Sequence, residues 1–227
     1  MKTENKKKEK IAVLGLGYVG LPTFLVLSNI KKNNSFYYHV IGVEKNDTQG
    51  KKKIYCFKNK IKTVHSSDKE FIKLYDNAFS RKDVEITNNL KDLKVCKKIV
   101  ISINFEIKKK KIYQNLQSLF DQIAKIISKK TLIILQSTLP PGTCQNIILP
   151  RFKKNLLKRK IKLSEIYFAY SYERVTPGSN YIKSITSSPR CYSGINEISK
   201  KKCRNFLLEI LKKKELLTEF KTITECE

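Results

Sequence analysis

With 227 residues, 41% of them hydrophobic, the chain is long enough to bury the core of one large domain or of one and a half smaller ones. Its charge balance, 47 basic against 20 acidic residues for a net +27, raises nucleic acid or an anionic membrane surface as partners. The lysines, however, fall in scattered runs (Lys6 to Lys8, Lys51 to Lys53, Lys108 to Lys111, Lys200 to Lys202, Lys212 to Lys214), with no RNA-recognition signature, paired zinc-ligand spacing or basic helix leading into heptads. That pattern describes a solvated basic surface and argues against a dedicated nucleic-acid binder.

In chain order, residues 1–10 read as a disordered basic tail. Between Lys10 and Lys31 no residue carries a formal charge. A membrane span of about twenty residues needs a nearly continuous apolar helix, whereas this stretch holds Gly15, Gly17, Gly20, Pro22, Ser28 and Asn29. It also lacks a small-x-small cleavage site before the charges resume, so it reads as neither anchor nor secretory signal. Short β-branched runs predict strands at Ile11–Gly15, His39–Glu44, Lys98–Ile103, Leu132–Gln136 and Ile166–Tyr170, with a shorter one at Val84–Thr87. Amphipathic stretches predict helices at Leu21–Ile30, Lys69–Phe79, Lys111–Ser128, Thr143–Leu157 and Asn196–Lys212, while Lys45–Asp68 reads as a long polar loop. A last strand is expected at Leu216–Thr222, without an obvious helix after it. Most of these strands are apolar runs rather than half-polar alternations, as when helices cover both faces of a sheet. The fold class is therefore α/β: a Rossmann-like, doubly wound, mainly parallel sheet with helices on both faces.

Gly15, Gly17 and Gly20 have G-x-G-x-x-G spacing directly after a predicted strand and opening a predicted helix. The first glycine permits a tight turn, the second lets a pyrophosphate approach the backbone, and the third lets helix and strand pack closely. Glu44 ends the second strand, 24 residues beyond Gly20, where a carboxylate can accept hydrogen bonds from an adenosine ribose. The same carboxylate repels a 2′-phosphate and favours NAD over NADP, a preference that Lys45 beside it weakens. Six cysteines (Cys56, Cys96, Cys144, Cys191, Cys203, Cys226) without a C-x-x-C pair fit reduced thiols in a cytoplasmic protein. His39 and His65 cannot by themselves build a His-rich metal site, so no metal is expected.

Three further motifs follow. "LIILQSTLPPGT" places Ser137 and Thr138 at the carboxyl end of a predicted strand; "IYFAYSYERVTPGSN" does the same for Glu173 and Arg174; "SSPRCYSGIN" adds Pro189, Arg190 and Gly194. Together with "GLGYVGLP", these segments resemble, in order and spacing from about Lys10 to Glu227, the nucleotide-sugar 6-dehydrogenases. Those enzymes oxidise UDP-glucose, GDP-mannose or UDP-N-acetylhexosamines to uronic acids, and "SYERVTPG" is similar to the UDP-N-acetylhexosamine branch. The resemblance implies a Rossmann domain that binds NAD, a central helix that forms a homodimer, and a carboxyl-terminal domain that helps to bind the UDP-sugar. It also implies two rounds of oxidation, by two NAD, through a cysteine-bound thiohemiacetal and thioester. Carried over motif by motif, Gly15, Gly17, Tyr18, Val19 and Gly20 would hold the pyrophosphate and Glu44 the ribose. Ser137 and Thr138 would contact the cofactor, Thr138 on its nicotinamide side, Thr138 and Glu173 would serve catalysis, and Arg174 and Val175 would contact substrate. A carboxylate and a hydroxyl are suitable groups for removing a hydroxyl proton and activating water.

The sequence departs from that family at several points. Asn104 and Phe105 stand where a Val-x-Thr-Pro-like turn is usual, Gln49 where a basic residue usually follows the acidic one, and Tyr172 where a proline precedes the glutamate. No cysteine lies in the G-x-C-type motif of the family's nucleophile. The expected division is thus a tail at 1–10, an NAD-binding Rossmann domain at 11–215, and a last strand with the start of the central helix at 216–227. Such a chain corresponds to the first half of the enzyme and should bind NAD without turning over a sugar. The alternative is a non-catalytic Rossmann module that binds a nucleotide or a partner.

Overall fold

A computed structural model describes residues 8–61, 66–103 and 112–227. His65, Asn104, Phe105 and the Lys108 to Lys111 run lie outside them, as does most of the proposed tail.

The strands and helices follow in chain order. β1 (Glu9–Leu14) leads into α1 (Gly20–Asn29), and a tight hairpin of β2 (Lys31–Lys32) and β3 (Ser35–Phe36) into β4 (Tyr38–Val43). Next come α2 (Thr48–Lys58), α3 (Lys69–Phe79), β5 (Val84–Thr87), β6 (Lys98–Ile101), α4 (Ile112–Ile126) and β7 (Leu132–Leu135). A π-helical turn at Cys144–Ile148 opens α5 (Leu149–Leu157), followed by β8 (Tyr167–Tyr170), α6 (Tyr181–Thr186) and β9 (Arg190–Gly194). The chain then forms α7 (Glu197–Ile210), β10 (Leu217–Glu219) and α8 (Ile223–Cys226).

The main sheet has eight strands in the order β10-β9-β8-β7-β6-β1-β4-β5, all neighbours parallel except β8 and β9. Strand alternation sends Ile11 and Val13 of β1 into one core and Ala12 and Leu14 into the other. The first core lies against α1, α3, α6 and α7 and includes Phe24, Phe71, Tyr181 and Phe206; the second lies against α4 and α5 and includes Phe120, Phe152 and Phe168. Each of those buried rings contributes roughly 2–3 kcal/mol of transfer free energy. The chain runs outward from β1 to β4 and β5 on one side and to β6, β7 and β8 on the other. Strand order therefore reverses between β1 and β6, and this opens a crevice at their carboxyl ends.

Several expectations need correction. Glu9 and Lys10, expected in the tail, belong instead to β1, where they pair with Tyr38 and His39, and Glu9 meets Lys98 at 2.9 Å. Charged ends hid a strand that backbone pairing extends beyond the core. The loop expected over Lys45–Asp68 contains α2, capped by Asp47, whose carboxylate accepts from the Gly50 N–H at 2.9 Å. Only Gly50 and Cys56 of α2 are buried, so no apolar period marks it. The helix expected over Thr143–Leu157 begins as a π turn, since Pro150 has no N–H to continue the regular ladder. The hairpin turns through Asn33 and Asn34, both at positive φ, and α6 and β9 were too short or too polar to stand out. The last strand is limited to Leu217–Glu219, and a short helix does follow it, opened by a capping box of Thr222 and Glu225.

Candidate functional site

β1 ends in the glycine-rich turn. Gly15 has φ +87°, and a Cβ there would lie 2.7 Å from the Ser102 carbonyl oxygen beyond β6. Gly20, the first residue of α1, packs so closely that its Cβ would stand 1.7 Å from the Gly15 carbonyl oxygen. Gly17 differs from both, since a Cβ there would meet nothing within 4 Å. That open side of the backbone leaves room for a pyrophosphate. No side chain caps α1 at Val19, so the amide end of its dipole is left for an anion. Tyr18 is 76% exposed, and its carbonyl accepts a hydrogen bond from the Tyr181 hydroxyl of α6.

Glu44 follows β4 and is placed by the ladder, its N–H donating to the Thr87 carbonyl at 2.9 Å. Its Oε1 accepts from the Leu16 N–H at 2.8 Å and from the Lys53 ammonium at 2.6 Å; Lys53 also donates to the Leu16 carbonyl at 3.1 Å. Oε2 has no hydrogen-bond partner among the described residues. Lys53 lies one helical turn beyond Gln49 on α2, so a cation does serve this carboxylate, from a position the family pattern did not indicate. A cavity of about 340 Å³ adjoins it, walled by Leu16, Leu21, Phe57, Tyr75, Phe79 and Ile86, with Gln49, Lys52 and Lys53 contributing polar groups.

On the other side of the switch point, Ser102 donates through its hydroxyl to Gln136 Oε1 at 2.9 Å, and the Ile103 N–H donates to the Ser137 hydroxyl at 3.1 Å. Gln136 Nε2 is buried without a partner among the described residues. Thr138 is exposed beside this group. The loop that follows is held by Glu227, whose carboxylate accepts from the Gly142 N–H at 2.6 Å and the Cys144 N–H at 2.7 Å. Glu173, beyond β8, is buried and ion-paired with Arg190 at the start of β9, and its Oε1 accepts from the Arg174 N–H at 3.2 Å. Burial outweighs Arg190 and raises the Glu173 carboxyl to about 7. Arg174 is exposed and donates to the Tyr172 hydroxyl at 2.8 Å, while Val175 packs on the first core. Thr138 and Glu173 share no hydrogen bond among the described residues. The glycine turn and Glu44, by contrast, are joined directly through Leu16.

Residues 9–213 match the NAD binding domain of the UDP-glucose/GDP-mannose dehydrogenase family. The chain belongs to that family. Among its relatives, the UDP-N-acetyl-D-mannosamine dehydrogenase of Methanocaldococcus jannaschii is 30% identical over 217 residues, covering 94% of this chain and 45% of the relative. The UDP-N-acetyl-D-glucosamine 6-dehydrogenase of Pseudomonas aeruginosa is 30% identical over 189 residues, covering 80% of this chain and 40% of the relative. The solved structure of UDP-D-ManNAc dehydrogenase from Pyrococcus horikoshii superposes with a TM-score of 0.78 at 21% identity, over 96% of this chain and 48% of that one. The chain thus spans less than half the length of these relatives, and the region it spans is the UDP-glucose/GDP-mannose dehydrogenase family's NAD-binding portion. NAD is the cofactor of this domain, and the residues present fit it: an open Gly17 face, an uncapped helix terminus and the Glu44 carboxylate lie at the switch-point crevice.

No helix among the described residues is long and apolar enough to cross a membrane, and no group of metal-ligating side chains occurs among them. Reasoning from sequence missed Lys53, the role of Arg190 and the Glu227 clamp. The only trace of Lys53 was the lysine run Lys51 to Lys53 on a segment read as loop; Arg190 was noted without its partner; nothing local marks Glu227.

Proposed function

We propose that this chain is the NAD-binding half of a nucleotide-sugar dehydrogenase that oxidises the C6 alcohol of a UDP-hexose or UDP-N-acetylhexosamine to a uronic acid for polysaccharide or cell-envelope sugar synthesis. The observation that carries this reading is the pairing of the open Gly17 turn with Glu44, whose orientation the Leu16 N–H holds. Backbone amides from Gly15 to Gly20 hold the pyrophosphate and Glu44 receives the ribose hydroxyls. NAD, when bound, supplies the hydride acceptor. Ser137 and Thr138 line its nicotinamide side, Glu173 exchanges protons near neutral pH, and Arg174 and Val175 face the sugar nucleotide. A carboxyl with a raised pKa of about 7 is suited to that exchange. Five of the six cysteines are buried and Cys191 is half-buried, which supports reduced thiols, a cytoplasmic setting and a nucleophile supplied from outside this set. Membership of the family supports a homodimer acting on a UDP-sugar.

The test combines binding and turnover on the purified 227-residue chain. Calorimetry should detect NAD binding, and addition of UDP-N-acetylmannosamine or UDP-N-acetylglucosamine with NAD should give no rise in NADH absorbance. Absence of NAD binding would remove the cofactor reading; NADH formation would show that these residues contain their own nucleophile.

A further inference from the structure

We infer that Lys53 makes the ribose end of this cofactor site tolerant of a 2′-phosphate, so that the chain binds NADP as well as NAD. The inference rests on the assignment of Gly15 to Glu44 as the dinucleotide site and concerns the selectivity of that site.

A carboxylate at the end of the second strand selects NAD in two ways: it accepts the ribose hydroxyls, and it repels a phosphate esterified to one of them. The second effect needs the carboxylate to carry its full charge. Here Glu44 Oε1 is saturated by two donors, the Leu16 N–H at 2.8 Å and the Lys53 ammonium at 2.6 Å. The side chain of Glu44 retains only 9% of its exposure, whereas that of Lys53 retains 37%, so Lys53 is the more exposed member of the pair. The cationic side chain of the pair is therefore more accessible to a ligand than the carboxylate. Two more lysines reinforce this. Lys45 adjoins Glu44 in the chain and makes only a 3.3 Å contact with Asp47 at 84% exposure, and Lys52 lines the same cavity as Lys53.

Lys53 also has freedom to respond. Its two contacts are with one carboxylate oxygen and one carbonyl, and its flexible stem lets the ammonium turn outward to a phosphate while Leu16 N–H keeps Glu44 in place. With NAD the pair stays closed and Oε2 receives the ribose. With NADP the same ammonium pairs with the phosphate. Lys53 is thus a specificity-determining residue supplied by α2.

The test is calorimetric titration of the 227-residue chain with NAD and with NADP, for the wild type, Lys53→Met and Lys53→Arg. The wild type should bind the two within about tenfold of each other, and Lys53→Met should weaken NADP relative to NAD by a further factor on the order of a hundred. Lys53→Arg should keep the wild-type ratio, and thermal unfolding of the three proteins should confirm that each is folded. A wild type that prefers NAD by more than about a hundredfold, or a ratio that Lys53→Met leaves unchanged, would overturn the inference. Failure of the wild type to bind either dinucleotide would instead remove the site assignment beneath it.

Discussion

The two sides of the switch point are built differently. On the β1–α1–β4 side, every group is fixed by backbone that leaves no alternative: Gly15 against Ser102, Gly20 against Gly15, and Glu44 against the Leu16 N–H. On the β7–β8–β9 side, the expected pair of Thr138 and Glu173 is not joined; one is exposed and the other is buried against Arg190. The first side is a preformed turn with a fixed carboxylate beside it, the pair proposed to hold the pyrophosphate and the ribose. The second is a set of polar groups tied to separate local partners rather than to one another. A binding turn is specified by short-range sterics, whereas an acid–base pair is specified by charge and burial drawn from several strands.

The largest effect should come from tightening the first side. Gly20→Ala places a Cβ 1.7 Å from the Gly15 carbonyl, and urea unfolding should register a loss of about 4 kcal/mol or more. An unchanged midpoint would show that turn and helix do not depend on that close approach. The next largest effect belongs to the second side. The Glu173 carboxyl stands near 4.5 in the unfolded chain and at about 7 in the folded one, so its contribution is fully present below pH 4.5 and lost as pH rises through about 7. That difference corresponds to about 3 kcal/mol, which denaturation at a series of pH values should show falling toward neutrality. In Glu173→Gln this slope should vanish, and a wild-type profile without it would contradict the account of burial. A smaller effect probes the tie between the two halves. Buried Asp68 caps α3, accepting from the Glu70 N–H at 2.7 Å and the Phe71 N–H at 3.2 Å, and also accepts from the Ile182 N–H of α6 at 2.8 Å. Removing both roles in Asp68→Ala should cost about 2 kcal/mol, readable in the same denaturation experiment.

Legibility from sequence followed the same division. The glycine spacing, the uncharged run after Lys10 and the acidic end of HVIGVE state their own physics, so β1, α1, β4 and Glu44 could be placed in advance. Strands β6, β7 and β8 were equally plain, since "KIVI", "LIIL" and "YFAY" are apolar runs buried on both faces. Helix α2 was not legible, because a helix with two buried residues has no apolar period, and with it went the position of Lys53. Arg190 and Glu227 act across 17 and 85 residues of chain, on Glu173 and Gly142 respectively, and pairing at such separation leaves no local pattern. The tail boundary was misjudged for the opposite reason, charged residues at a strand's edge having the composition of disorder.

The central claim is that bare backbone at Gly17 is required by the cofactor and by nothing else. It is tested most directly by titrating NAD against the wild type and Gly17→Asp, with urea unfolding of both. Since a Cβ at Gly17 has open space around it, with nothing within 4 Å beyond its chain neighbours, stability should change by no more than about 0.5 kcal/mol, while the added carboxylate in the pyrophosphate's path should weaken NAD at least about a hundredfold. Equal NAD affinity in two equally stable proteins would contradict the assignment of this turn as the cofactor grip.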